Sequence, residues 1–186
     1  MISSVKFRIM KRNIMIILFI FAFAFSSMAQ TKEANPADVA SIDSIMKAVY
    51  EVISGDAGVK RDWDRFRTLF HPSARLIPTG KNPTTSVTGA RALTVEEYIT
   101  RAAPFMEKEG FFEKEIARRG ETYGNIAQMF STYASYHKST DKEPFARGIN
   151  SFQLLNDGKR WWVVTIYWQG ETAETKIPKK YLKSKK

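Results

Sequence analysis

The chain has no cysteine. That excludes disulfides, thiolate nucleophiles, thiolate metal sites and any lipid attached through sulfur. Histidine is almost as scarce: only His71 and His137 occur, 66 residues apart, which gives a metal little to bind. The third deficit is negative charge late in the chain. The segments Asn125 to His137, Phe145 to Leu155 and Arg160 to Gln169 contain no Asp or Glu, yet they hold three of the four Trp. Strands of that composition suit a curved sheet around something apolar, and they argue against chemistry run on carboxylates of those strands. Also missing are a phosphate-cradling Gly-rich loop, His-Glu-x-x-His and Gly-x-Ser-x-Gly. Asn82-Pro83-Thr84 carries proline in its middle and is no glycosylation acceptor.

The net charge of +10 is unevenly spread. Lys6, Arg8, Lys11 and Arg12 precede an unbroken apolar run from Ile14 to Phe25, and Ser27-Met28-Ala29 supplies small residues for cleavage before Gln30. This pattern predicts a signal peptide over 1–29 and an exported protein, periplasmic or secreted. The 12-residue apolar run is short against the roughly 20 residues that span a bilayer. Six further lysines, Lys176, Lys179, Lys180, Lys183, Lys185 and Lys186, sit in the tail. Residues 30–175 then balance at 19 basic against 19 acidic side chains, so the body has no basic excess for nucleic acid. The tail, 171–186, reads as a disordered, solvated segment with weak contact to anionic membranes as its other use.

Between a short linker, 30–35, and that tail lies one domain, 36–170. Asn35, Pro36 and Asp38 open a first helix, with Val39, Ile42, Met46, Val49 and Ile53 at helical spacing and Gly55 closing it. Trp63, Phe66 and Phe70 share one face of a second helix that stops at His71-Pro72. A hairpin-like region follows, with strands at 74–78 and 84–88. Thr94-Val95-Glu96-Glu97 is a capping box opening a third helix, with Leu93 and Tyr98 as its staple and Pro104 as its kink or end. After Gly110 the period changes to two. The expected architecture is α+β, three N-terminal helices packed on a strongly curved, mostly antiparallel sheet.

The run Asp62-Trp63-Asp64-Arg65-Phe66 into Leu69-Phe70-His71-Pro72-Ser73-Ala74, and the run Phe145-Ala146-Arg147-Gly148-Ile149-Asn150-Ser151 through Gly158-Lys159-Arg160-Trp161-Trp162, resemble the nuclear transport factor 2-like superfamily. The likeness covers about residues 36–170 and is closest to exported, SnoaL-like bacterial members. It implies a cone-shaped domain whose sheet wraps three helices, and homodimers through the outer sheet face. Family members include isomerases, cyclases, dehydratases and non-catalytic subunits. Isomerase members pair an Asp base with an oxyanion hole of a Tyr and a protonated Asp. No residue of this sequence falls on those positions.

Asp157-Gly158 reads as the centre of a two-residue hairpin. That register opposes Arg147 to Trp168, Ile149 to Ile166 and Ser151 to Val164 on one face, with Tyr133 alongside. The mixture of one cation, hydroxyls and aromatics resembles a pocket lining and is taken as the interior. The expected ligand site is therefore Arg147, Tyr133, Ser151 and Trp168, closed from the helix side by Trp63 and Tyr98. Arg147 would clamp an acidic group of a small apolar or weakly acidic molecule, or else stack on Trp168. The opposite face, with Trp161, Val163, Tyr167 and Phe152, would form the dimer patch. Catalytic candidates are His71, Asp62 and Asp64, while Glu113 and Glu115 alternate with Lys and Arg like a solvated face. No metal and no cofactor is expected. The functional expectation is a small-molecule-binding module, with lyase, isomerase or cyclase activity and a structural subunit as alternatives.

Overall fold

The computed structural model describes residues 33–82 and 84–183. The segment 1–29 read as a signal peptide lies outside the described residues, as do Lys185 and Lys186. Helices α1 (Pro36–Val39), α2 (Ile42–Ile53) and α3 (Trp63–Leu69) precede strands β1 (Phe70–Lys81) and β2 (Thr88–Ala90). Helix α4 (Val95–Glu109) leads into β3 (Phe112–Tyr123), β4 (Ile126–Tyr136), β5 (Ala146–Asn156) and β6 (Trp161–Gly170). A single helical turn, Lys179–Tyr181, lies near the end.

The single long helix expected from Pro36 is two. Ser41 interrupts it, because its side chain accepts a hydrogen bond from the Ser44 amide at 3.0 Å and starts a new helix. The capping box at Thr94 and Glu97 is formed in both directions. Pro104 does not end α4, which runs on to Glu109 and stops at Gly110. Helix α2 buries Ile45, Met46, Val49, Val52 and Ile53 against the sheet. Side chains of this size stabilise by roughly 1.5–3 kcal/mol each when fully buried.

The six strands form one mixed sheet in the order β2-β1-β6-β5-β4-β3. Only β1 and β6 pair in parallel, and the other neighbours are antiparallel. Arg61 ties the end of α2 and the loop after it to α4. It is 6% exposed, and its guanidinium donates to the main-chain carbonyls of Ile53, Gly55, Asp56, Val59 and Met106. Gly55 is required there by close approach, since a Cβ would lie 2.8 Å from Arg61 Nη1.

Two expectations about the sheet are overturned. The first is register. The β5–β6 connection spans four residues, 157–160, because the Asp157 carboxylate accepts from the Lys159 and Arg160 amides and from Trp162 Nε1. A bulge between Gln153 and Leu154 adds one more residue of offset. Asn150 therefore opposes Trp168 and Ser151 opposes Tyr167, and β5 on this side of the bulge turns its faces over relative to β6. Phe152 and Val163, expected on an outer dimer patch, are 0% exposed in the core. The second is the tail. Residues 171–183 are ordered against the outer face of the sheet. The Thr132 hydroxyl donates to the Tyr181 carbonyl, Arg119 Nε donates to the Lys180 carbonyl, and the Tyr181 ring packs on Phe130 at 5.5 Å. The outer face offers donors to main-chain carbonyls, and the lysine-rich composition hides that.

Candidate functional site

The concave face of the sheet and the three longer helices enclose a cavity of 220 Å³. Helix α2 contributes Val49, Tyr50 and Ile53; α3 contributes Phe66; α4 contributes Tyr98. The sheet contributes Tyr133, Ser135, Asn150, Phe152 and Trp168, with Glu113 at its β3 margin. Phe111 and Phe145 pack edge to face at 6.2 Å, and Phe145 is 46% exposed, so this pair marks where the cavity meets solvent. Gly148 makes room for the Tyr133 ring, since a Cβ there would overlap both the Tyr133 hydroxyl and the Gln169 carbonyl.

Glu113 is the one charged side chain on this wall. The Ser135 hydroxyl donates to its Oε2 at 2.8 Å and Asn150 Nδ2 donates to its Oε1 at 3.2 Å. No lysine, arginine or histidine lines the cavity, and Glu113 has no ion-pair partner among the described residues. Burial pushes its carboxyl up to about 7, against the two donors, which favour the ionised form.

Asn150 Nδ2 also donates to the Tyr50 hydroxyl at 3.1 Å. Tyr50 and Ser131 lie 2.6 Å apart, and the Ser131 hydroxyl donates to Glu115. The chain of donors therefore runs from Asn150 through Tyr50 and Ser131 to Glu115. Arg118 holds Glu115 with Nε and Nη2 and reaches Asp43 at 2.7 Å with Nη1. Glu113 borders an outer cleft on that side too, where Lys47 is paired with Glu51. In contrast, the Tyr98 and Tyr133 hydroxyls have no hydrogen-bond partner among the described residues, although both rings line the cavity.

The expected site residues separate into two groups. Tyr133, Trp168 and Tyr98 are on the cavity wall. Tyr98 stacks on Phe66 at 5.5 Å and meets Trp168 edge to face at 6.1 Å. Arg147 and Ser151 lie on the opposite face. The Arg147 guanidinium pairs with Glu171 at 2.7 and 3.0 Å, a carboxylate one residue beyond β6, so it neither points into the cone nor stacks on Trp168. Trp63 packs its edge on Phe66 and stops short of the cavity. His71 shares a hydrogen bond with Ser73 and meets Trp162 on the outside. Asp62 caps α3 through the Arg65 amide, and Asp64 pairs with Arg67. None of these three reaches the cavity.

Glu113, Tyr50, Asn150 and Ser135 were missed. The text Phe112-Glu113-Lys114-Glu115 alternates like a solvated strand. The signal lay in the partner: Glu113 opposes Ser135 and Glu115 opposes Tyr133, on the face that carries β4's hydroxyls. The late strands do lack carboxylates, and the cone takes its acid from β3 instead.

No protein-family model and no curated protein matches the sequence. Solved structures do match in fold. A protein of unknown function with a cystatin-like fold from Nostoc punctiforme is 10% identical, with 76% of this chain and 97% of that chain covered and a TM-score of 0.55. A Xanthomonas campestris protein described as a calcium/calmodulin-dependent protein kinase II association domain is 14% identical, over 71% and 86%, with a TM-score of 0.51. A protein with a cystatin-like fold from Caulobacter vibrioides is 11% identical, over 73% and 90%, with a TM-score of 0.50. At these identities the likeness establishes the fold alone.

Proposed function

We propose, from the α+β cone fold that the chain shares with cystatin-like structures and from its cavity, a small-molecule-binding protein of the nuclear transport factor 2-like kind whose ligand lies in the cone with its polar end at Glu113. One observation carries this reading. An apolar cavity holds a single carboxyl, fixed by two donors, beside two tyrosine hydroxyls that have no hydrogen-bond partner among the described residues. Convergent polar groups in an apolar concavity are the usual make-up of a ligand site. Titration with benzyl alcohol, an uncharged probe, followed by NMR shifts at Ala146 and Ile166 on the cavity wall, tests it. Ala146→Phe fills the cavity and abolishes the shifts. Uptake that is absent in the parent protein, or unchanged in that variant, defeats the reading.

A second reading is favoured by the Glu113 carboxyl near 7. A group that exchanges its proton at neutral pH suits general acid–base work on a small hydrophobic carbonyl compound. The carboxylate takes a proton from the carbon next to the carbonyl, the C–H electron pair forms the enolate, and the acid so formed returns the proton to carbon. Washout of deuterium from cyclohexanone, lost in Glu113→Gln, is the expected sign. Equal washout in both proteins removes this reading and leaves the first.

The segment 1–29 supports export of the protein. Exposed Ile126, Phe130 and Tyr167 on the outer sheet face, and the association domain among the similar folds, support a homodimer through that face. A monomer mass by light scattering at micromolar concentration would count decisively against it.

A further inference from the structure

We propose that the cone selects a compact, apolar amine, whose ammonium group is held by the Glu113 carboxylate and wrapped by aromatic rings. This rests on the reading of the cavity as a binding site and adds the charge of what it binds.

The case begins with what surrounds Glu113. Both groups bonded to it, Ser135 and Asn150, are donors to its oxygens. That arrangement suits a carboxylate, yet no cation among the described residues lines the cavity. The cations of the outer cleft and of the far sheet face have other partners: Lys47 pairs with Glu51, Arg118 with Glu115 and Asp43, Arg147 with Glu171, and Lys114 lies over the Tyr136 ring at 5.1 Å. A half-buried carboxylate with donors and no counter-charge in its cavity is under-compensated, and a cationic ligand completes it.

Half of the residues lining the cavity are aromatic. Ring faces attract ammonium groups, most strongly where water is excluded, and aromatic walls are the common answer to such ligands. The rings of Tyr50, Phe66, Tyr98, Tyr133 and Trp168 come from two faces of the cavity, helix and sheet. The unpartnered Tyr98 and Tyr133 hydroxyl oxygens accept hydrogen bonds, and an ammonium group carries three donors. An anionic ligand meets the opposite situation. It finds no cation, a like-charged carboxyl, and the negative faces of the rings. The acidic ligand expected from Arg147 is therefore the one the cone disfavours.

Three probes of nearly one shape decide the matter: benzylamine, benzyl alcohol and benzoate, titrated calorimetrically into the full-length protein at pH 8. The expected order is benzylamine tighter than benzyl alcohol by about tenfold or more, the worth of a hydrogen bond to a charged group, with benzoate undetectable. Glu113→Gln should erase the preference for the amine, so that benzylamine binds that variant no more tightly than benzyl alcohol binds the same variant. A measurement on the unaltered protein stands beside it: benzylamine should drive the ¹³C carboxyl resonance of Glu113 to its ionised position at pH 7, and benzyl alcohol should not. Benzyl alcohol binding without preference for the amine, or benzoate binding as well as benzylamine, overturns this inference alone. Failure of all three probes to bind overturns the binding reading and this inference together.

Discussion

The two faces of one sheet handle charge in opposite ways. On the outer face Arg147 lies next to Ile149 and Ser151 and is neutralised by Glu171, at a partly exposed site. On the inner face, on the neighbouring register of the same sheet, Glu113 is left with donors only. A paired charge at a rim is worth little to stability, whereas an unpaired one under a roof of aromatics is a cost. Such costs persist where a ligand or a reaction uses the group, so the inner face is where function is sought. The contrast also shows how little composition says about side. The lone cation in an apolar strand is ordinary surface structure, and the acid in a charge-alternating strand is the centre of the cone.

The largest effect that can break this contrast comes from packing. Phe152 on the inner face is 0% exposed, and Tyr167 on the outer face is 46% exposed. Phe152→Ala should cost about 3–5 kcal/mol in urea unfolding, and Tyr167→Ala about 0.5 kcal/mol or less. A cost above about 2 kcal/mol for Tyr167→Ala, growing with protein concentration, would show that the outer face is covered in solution, as a homodimer requires.

Most of the fold is legible in the sequence because its signals are local. Asn35 with Pro36, the box at Thr94 and Glu97, and the switch to period two after Gly110 each act within a few residues. The break at Ser41 was legible in kind, since serine is a strong cap, but hidden inside a continuous apolar period. The site depends on something less local. A side chain's face follows from register, and register here turns on how Asp157 folds the loop and on one bulge near Gln153. On the Arg147 side of the bulge the offset is three residues, which is odd, so there the inward and outward assignments on β5 relative to β6 inverted. Tyr133 and Trp168 came to the cavity all the same, while Arg147 and Ser151 were lost from it. The partner of Arg147, Glu171, stands just outside the strand, where a search of neighbouring strands does not look.

The acid itself sharpens the contrast through pH. Burial raises the Glu113 carboxyl to about 7 in the folded chain, against an ordinary value of 4.5. The folded state therefore holds a proton that the unfolded chain releases between those values. Its contribution is fully present below about 4.5 and is lost as pH rises through about 7. Glu113→Gln removes that dependence, and should stabilise the protein by about 3 kcal/mol at pH 8 and by almost nothing at pH 4. The groups facing Glu113 are the phenols of Tyr50, Tyr98 and Tyr133, with Lys47, Glu51, Lys114, Glu115 and Arg118 around the outer cleft. Burial holds all three phenols protonated well above this range, so they do not titrate within it. Equal stabilisation at both pH values would mean that the carboxyl sits in water and that the inner face is not dry.

The smallest effect belongs to the outer face. Arg147→Met removes a guanidinium whose side chain is 41% exposed and leaves Glu171 with the Ile177 amide as a remaining donor. Exposed pairs of this kind contribute about 0–1 kcal/mol, and the methionine keeps an apolar stem of similar length. Unfolding should shift by about 0.5 kcal/mol, and benzyl alcohol should bind the cone unchanged, because the guanidinium lies across the sheet from it. If the substitution instead abolishes binding while the fold persists, the guanidinium reaches the ligand, and the two faces are not the separate chemical environments that the register makes them. Glu171→Gln then distinguishes the routes: it releases Arg147 without deleting it, and in the outer-face arrangement it too leaves the cone's affinity untouched.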